Sequence, residues 1–185
     1  MPHSNILDSS RAALLIVDVQ EAFRTAIGDF ARVVSRTAVA ARGFQTLGRP
    51  VFVTEQYPKG LGRTASEITD VLSPNFECFE KTAFSGCGAS AFVERLTASR
   101  ISQIVLCGFE THVCVNQTAH DLLDLDFEVH LLTDCVASRS ENDKQAGLAK
   151  MFASGVVPSS VEMALFELMR DATHERFKEI QRLIK

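Results

Sequence analysis

Residues 12–18 (AALLIVD) form an almost unbroken apolar run, the pattern of a strand covered on both faces. The period then changes. Over 30–47, Phe30, Val33, Val34, Thr37, Ala38, Ala41, Phe44 and Leu47 recur three or four residues apart, which predicts a helix closed by Gly48 and Arg49-Pro50. The alternation continues, with strands expected over 51–54, 76–81, 103–108, 127–133 and 156–158. Helices are expected over 90–99, 113–125, 141–154, 160–170 and 173–184, with Ser140 as the cap of the third and Gly155 as its end.

Strands that alternate with helices build βαβ units with right-handed crossovers. The expectation is therefore an α/β, three-layer αβα Rossmann-like fold. It carries a six-stranded, mainly parallel sheet, taken in the common doubly wound order 3-2-1-4-5-6, as one domain over 1–185. The closing segment HERFKEIQRLIK sets Phe177, Ile180, Leu183 and Ile184 on one stripe, to pack on its own domain or against another subunit.

Composition narrows the function. At 185 residues and 46% hydrophobic, the chain can bury one continuous core. A net charge of −4 without a basic cluster argues against nucleic acid. The apolar stretches fall well short of the roughly 20 residues that cross a bilayer, so no membrane partner is expected. No secretion signal is read at the start, and the location expected is cytoplasmic. The five cysteines (Cys78, Cys87, Cys107, Cys114, Cys135) lack zinc-like spacing and read as reduced thiols, with Cys78, Cys107 and Cys135 as packing residues and Cys87 exposed in SGCG.

In an open parallel sheet, chemistry gathers at the carboxyl ends of the strands. The polar residues there are Asp18, the TEQYPKG loop, Lys81, GFETHVC with Cys114 opening a helix, and Asp134. Asp18, Lys81 and Cys114 form a coherent set: a helix N-terminus and an ammonium favour a thiolate, and a carboxylate can take and return its proton. In the order 3-2-1-4-5-6, Asp18 and Cys114 face each other, whereas Lys81 begins about 10 Å from Asp18, a gap only a long side chain closes. Taken singly, each has a plainer reading: Asp18 as a helix cap, Lys81 as a solvated strand end, Cys114 as a buried helix residue.

The stretches LLIVDVQEAF, VTEQYPKGLG, FEKTAFS, VLCGFETHVCVNQTAHDLL and TDCVASRS resemble the isochorismatase-like cysteine hydrolase superfamily, and within it the small isochorismatase domain-containing proteins. The resemblance runs in order along nearly the whole chain. It implies a catalytic triad at Asp18, Lys81 and Cys114. It also implies a cis peptide at Phe109–Glu110, turning the Glu110 amide beside that of Cys114 as an oxyanion hole, with Gly108 leaving room for the turn. Nicotinamidases of this superfamily carry an Asp-x-His metal motif after the second strand; TEQYPKG has no histidine, so neither metal nor cofactor is expected.

The resulting expectation is a hydrolase acting on a small amide, ester or related substrate through a thioester. Phe23, Gln20, Gln56, Tyr57 and His112 are the candidate substrate contacts, and a homo-oligomer, dimer or larger, is the expected assembly. A vinyl-ether hydrolase, a non-catalytic scaffold of the same fold and a redox-responsive protein are the alternatives.

Overall fold

The computed structural model describes residue 3 and residues 5–185. Six parallel strands, β1 (Ala12–Val17), β2 (Val51–Gln56), β3 (Glu77–Lys81), β4 (Gln103–Phe109), β5 (Glu128–Ala137) and β6 (Val157–Ser159), form one sheet in the order β3-β2-β1-β4-β5-β6. This is the expected topology. Its longer helices are α1 (Phe30–Thr46), α4 (Ser90–Thr97), α5 (Asn116–Asp124), α6 (Glu141–Ala153), α7 (Val161–Met169) and α8 (Phe177–Ile184). Two single turns, α2 (Pro58–Leu61) and α3 (Ser66–Thr69), lie after β2.

The helices divide into two layers because the central strands have two apolar faces. Ala12, Leu14 and Ile16 of β1 join the core under α1, α3, α7 and α8; Ala13, Leu15 and Val17 join the core under α4, α5 and α6. Ile180 of α8 is wholly buried, with Phe177, Leu183 and Ile184 packed around the first core, so the C-terminal stripe covers its own sheet. Ser140 caps α6 by accepting from the Asp143 N–H at 3.3 Å.

Two expectations at the carboxyl edge are corrected. First, β5 does not stop before Asp134 but runs on to Ala137, with its register against β4 jumping between Leu106↔Leu131 and Gly108↔Val136. Asp134 sits in this bulge, accepts from the Arg36 guanidinium at 2.9 Å and from the Val161 N–H at 3.1 Å, and so ties β5 to α1 and α7. A carboxylate caught between a helix cation and a helix N-terminus reads, in sequence, just like one at a strand tip. Second, residues 113–125 are not one helix: a π-turn over Thr111–Val115 precedes α5. This widened turn carries Cys114.

Candidate active site

β1 ends at Val17, and Asp18 adopts a left-handed conformation (φ 53°) that aspartate tolerates better than most residues. Its N–H stays bonded to the Thr54 carbonyl at 3.1 Å. Its carboxylate is wholly buried: Oδ1 accepts from Thr54 Oγ1 at 2.8 Å, and Oδ2 from Lys81 Nζ at 2.6 Å. Lys81 begins at the end of β3, two strands away, and its extended side chain closes that distance under the tip of β2. The ammonium also donates to Gln56 Oε1 at 2.7 Å, to the Phe84 carbonyl at 2.9 Å and to the Ala83 carbonyl at 3.2 Å.

Cys114 comes in from the other side of β1. β4 pairs with β1 up to Gly108↔Val17, and Gly108 is held at φ 122°. A Cβ there would lie 2.0 Å from the Val17 carbonyl oxygen, so only glycine lets the two strand tips approach this closely. The Phe109–Glu110 peptide is cis, and the π-turn follows at once. Helix α6 packs on that turn through Gly147, where an added Cβ would meet His112 Cα at 2.9 Å. The Glu110 carboxylate is buried and accepts from both the N–H and the Nε of Arg139 at 3.0 Å, which ties the tip of β4 to the loop after β5.

The electrostatics correct one expectation. Position in the chain predicts a Cys114 thiol lowered towards neutrality; instead burial, followed by the Asp18 negative charge beside it, pushes it up to about 12, with Lys81 opposing. The residue is only 7% exposed. One ammonium, already committed to Asp18, does not offset the loss of water around a sulfur anion. Burial likewise pushes the Asp18 carboxyl above its ordinary value, against the pull of Lys81, Cys114 and Thr54. The Cys114 thiol is thus neutral, and beside it stands a carboxyl group held above its ordinary value.

The five candidate substrate contacts separate. Phe23 is half-buried and meets Phe109 edge-on at 5.9 Å, an aromatic wall at the tip of β4. Gln20 is wholly buried, with its amide committed to the backbone of Gln56 and Gly62; it is not open to a substrate. Gln56 is half-buried and engages Lys81 and the Thr82 carbonyl. Tyr57 is 54% exposed and, with Pro58, Lys59, Glu80, Lys81, Thr82 and Gly88, lines an open cleft of about 390 Å³ that reaches Lys81 but neither Asp18 nor Cys114. His112 is half-buried, with Nδ1 3.0 Å from Ser138 Oγ.

Among the other thiols, Cys107 and Cys135 are buried and Cys87 is half-buried. Cys78, expected in the core, is exposed because β3 is the edge of the sheet. Among the described residues, no group of three or more His, Cys, Asp or Glu side chains is arranged to hold a metal ion, and no helix is long and apolar enough to cross a membrane. The site partners that sequence reasoning did not single out are Thr54 and Arg139. Thr54 lies inside β2 and Arg139 in the loop after β5, and neither carries a pattern of its own.

An open parallel sheet with an acid, an ammonium and a thiol brought together at its carboxyl edge defines an α/β protein of the doubly wound, switch-point kind. The chain belongs to the isochorismatase family: the Isochorismatase domain model matches residues 12–163. It is 39% identical to isochorismatase domain-containing protein 2 of Danio rerio, over 96% of this chain and 89% of that one. It is 42% identical to isochorismatase domain-containing protein 1 of Salmo salar, over 91% of this chain, and spans 59% of that relative's length. Among solved structures, the MAR1 ribonuclease of Caenorhabditis elegans superposes with a TM-score of 0.91 at 34% identity, covering 97% of this chain and 92% of that one.

Proposed function

We propose that this isochorismatase-family protein is a hydrolase that cleaves a small amide, ester or related substrate through a thioester on Cys114. The observation that carries the reading is the wholly buried Asp18 carboxylate, held on one side by Lys81 Nζ at 2.6 Å and facing the Cys114 thiol on the other. Asp18 takes the thiol proton as the sulfur attacks the carbonyl carbon. The Glu110 and Cys114 amides donate to the developing oxyanion, and Asp18 returns the proton to the departing amine or alcohol. Asp18 then deprotonates a water that cleaves the thioester and restores the thiol. Because the thiol rests neutral, the proton transfer and the attack occur together, which gives Asp18 a larger share than a preformed thiolate would require.

A second reading has one observation in its favour. The same raised Asp18 carboxyl can carry a proton to a vinyl-ether carbon without the sulfur. Ribonuclease activity, which the Caenorhabditis elegans relative carries in its name, fits poorly here with a net charge of −4 and a site this deeply buried. The working unit proposed is a single domain over 1–185, in the cytoplasm and free of metal and cofactor. It assembles as a homo-oligomer, with the exposed Tyr57 and Phe84 as apolar surface near the site.

The test is a screen of small amides, esters and vinyl ethers with the wild-type, Cys114→Ser and Asp18→Asn proteins. Acyl chemistry predicts that both variants lose turnover while keeping their circular dichroism. Full activity in Cys114→Ser with loss in Asp18→Asn selects the ether reading. Activity untouched in both refutes the site.

A further inference from the structure

Gln20 and Gln56 form a continuous chain of amide hydrogen bonds ending on the Lys81 ammonium. β1 leaves the sheet at Asp18, whose backbone turns left-handed, so the strand no longer offers β2 a hydrogen-bonding rung at Gln56. The Gln20 side chain supplies it. Its Oε1 accepts from the Gln56 N–H at 2.7 Å and its Nε2 donates to the Gln56 carbonyl at 3.0 Å, a primary amide standing in for a peptide group. The second Nε2 hydrogen goes to the Gly62 carbonyl at 2.6 Å, and Gln20 bridges to Thr64, which fastens the 57–64 loop. All three partners are backbone groups whose donor or acceptor character is fixed, so the orientation of this buried amide is fixed as well.

Gln56 continues the chain. Its Oε1 accepts from Lys81 Nζ at 2.7 Å and its Nε2 donates to the Thr82 carbonyl at 2.8 Å. Lys81 has three N–H groups and four acceptors within reach: Asp18, Gln56 and the carbonyls of Phe84 and Ala83. The ammonium is saturated. It cannot bind a substrate without giving up one of these bonds, and its direction towards Asp18 is set by the other acceptors.

We propose that Gln20 and Gln56 are positioning residues: a two-amide relay that aims the Lys81 ammonium at Asp18 and couples that aim to the 57–64 loop. This rests on Asp18, Lys81 and Cys114 being the working groups. It differs from a substrate-contact role for either glutamine, because both amides are turned onto the protein itself.

Two measurements test it, one of which needs no substrate. Site-resolved alkylation of Cys114 by iodoacetamide is followed against pH by mass spectrometry in the wild-type, Gln56→Glu and Gln56→Met proteins, with Cys78 and Cys87 as internal controls. Gln56→Glu keeps an acceptor for Lys81 but adds a negative charge there, and the Cys114 alkylation rate between pH 7 and 9 falls about tenfold, with the controls unmoved. Cys114-dependent hydrolysis of p-nitrophenyl acetate is the second readout. Gln56→Met loses about tenfold in kcat at little-changed KM, as expected when the reacting groups are misaimed, and Gln20→Met falls in the same direction. A Cys114 profile in Gln56→Glu that superimposes on wild type overturns the relay, as does a Gln56→Met enzyme altered only in KM. A wild-type protein without any Cys114-dependent esterase activity counts against the thioester reading, while the alkylation rate still decides the relay.

Discussion

Lys81 Nζ and Asp18 Oδ2 stand 2.6 Å apart with both side chains withdrawn from solvent. Such a pair is held less by its own attraction than by the cost of separating it. Each ion has left water, and removing one strands the other in a medium that solvates it badly. The bonds from Thr54 to Asp18 and from Lys81 to Gln56, Ala83 and Phe84 are what make that burial tolerable.

Lys81→Met therefore leaves a bare carboxylate in the interior and lowers folding stability by roughly 3–5 kcal/mol. Urea denaturation at neutral pH measures this. The deficit shrinks at low pH, where Asp18 is protonated in the variant; a deficit below about 1 kcal/mol would mean that the pair is solvated.

Asp18→Asn separates two roles of one carboxylate. Its charge raises the Cys114 thiol, so the neutral amide lowers it, and alkylation of Cys114 at pH 8 becomes faster than in wild type. Hydrolysis nevertheless falls by roughly 10²–10⁴-fold, because the proton acceptor is gone. Slower alkylation together with lost turnover would indicate a collapsed site instead.

Gly147→Ala probes the packing of α6 on the π-turn. The new methyl group would sit 2.9 Å from His112 Cα and 3.1 Å from the Thr111 carbonyl, both backbone atoms with little freedom to yield. A loss of about 1–3 kcal/mol in stability is expected, along with altered Cys114 alkylation, since Cys114 lies on the displaced turn. Thermal melts and the alkylation rate are the measurements.

His130 gives the protein an acid limit. It is wholly buried on β5, neither ring nitrogen has a hydrogen-bond partner among the described residues, and burial pushes it down to about 4, with Glu128 opposing and Arg11 assisting. The unfolded chain takes up a proton near 6.5 and the folded one only near 4, so stability is unaffected above that range and falls as pH drops through it. The loss reaches about 3 kcal/mol by pH 4. Stability measured by denaturant between pH 7 and 4 should show this slope in wild type and a shallower one in His130→Leu. Equal slopes would remove His130 from the acid limit.

The parallel strands and their two helical layers are legible from the chain, because continuous apolar runs and three-to-four spacing are local consequences of burial on both faces or on one, whereas the strand order is a matter of fold type that no local pattern states. Asp18, Lys81 and Cys114 are legible for the same reason: each lies at or just beyond the carboxyl end of its strand, and strand ends can be read from where the apolar runs stop. Asp134 and Gln20 are not, because a polar residue at such an end looks the same whether it faces a site, a bulge or a neighbouring backbone.

What the sequence determined by itself was therefore the set of residues and the edge of the sheet they share. The tertiary structure decided their protonation and their partners. Both depend on how much water is excluded and on which groups from distant segments fill the space. A place in the chain suggests an activated thiol, whereas its basicity is set by the loss of solvent around Cys114 and the charge of Asp18, ninety-six positions away in sequence and adjacent only after folding.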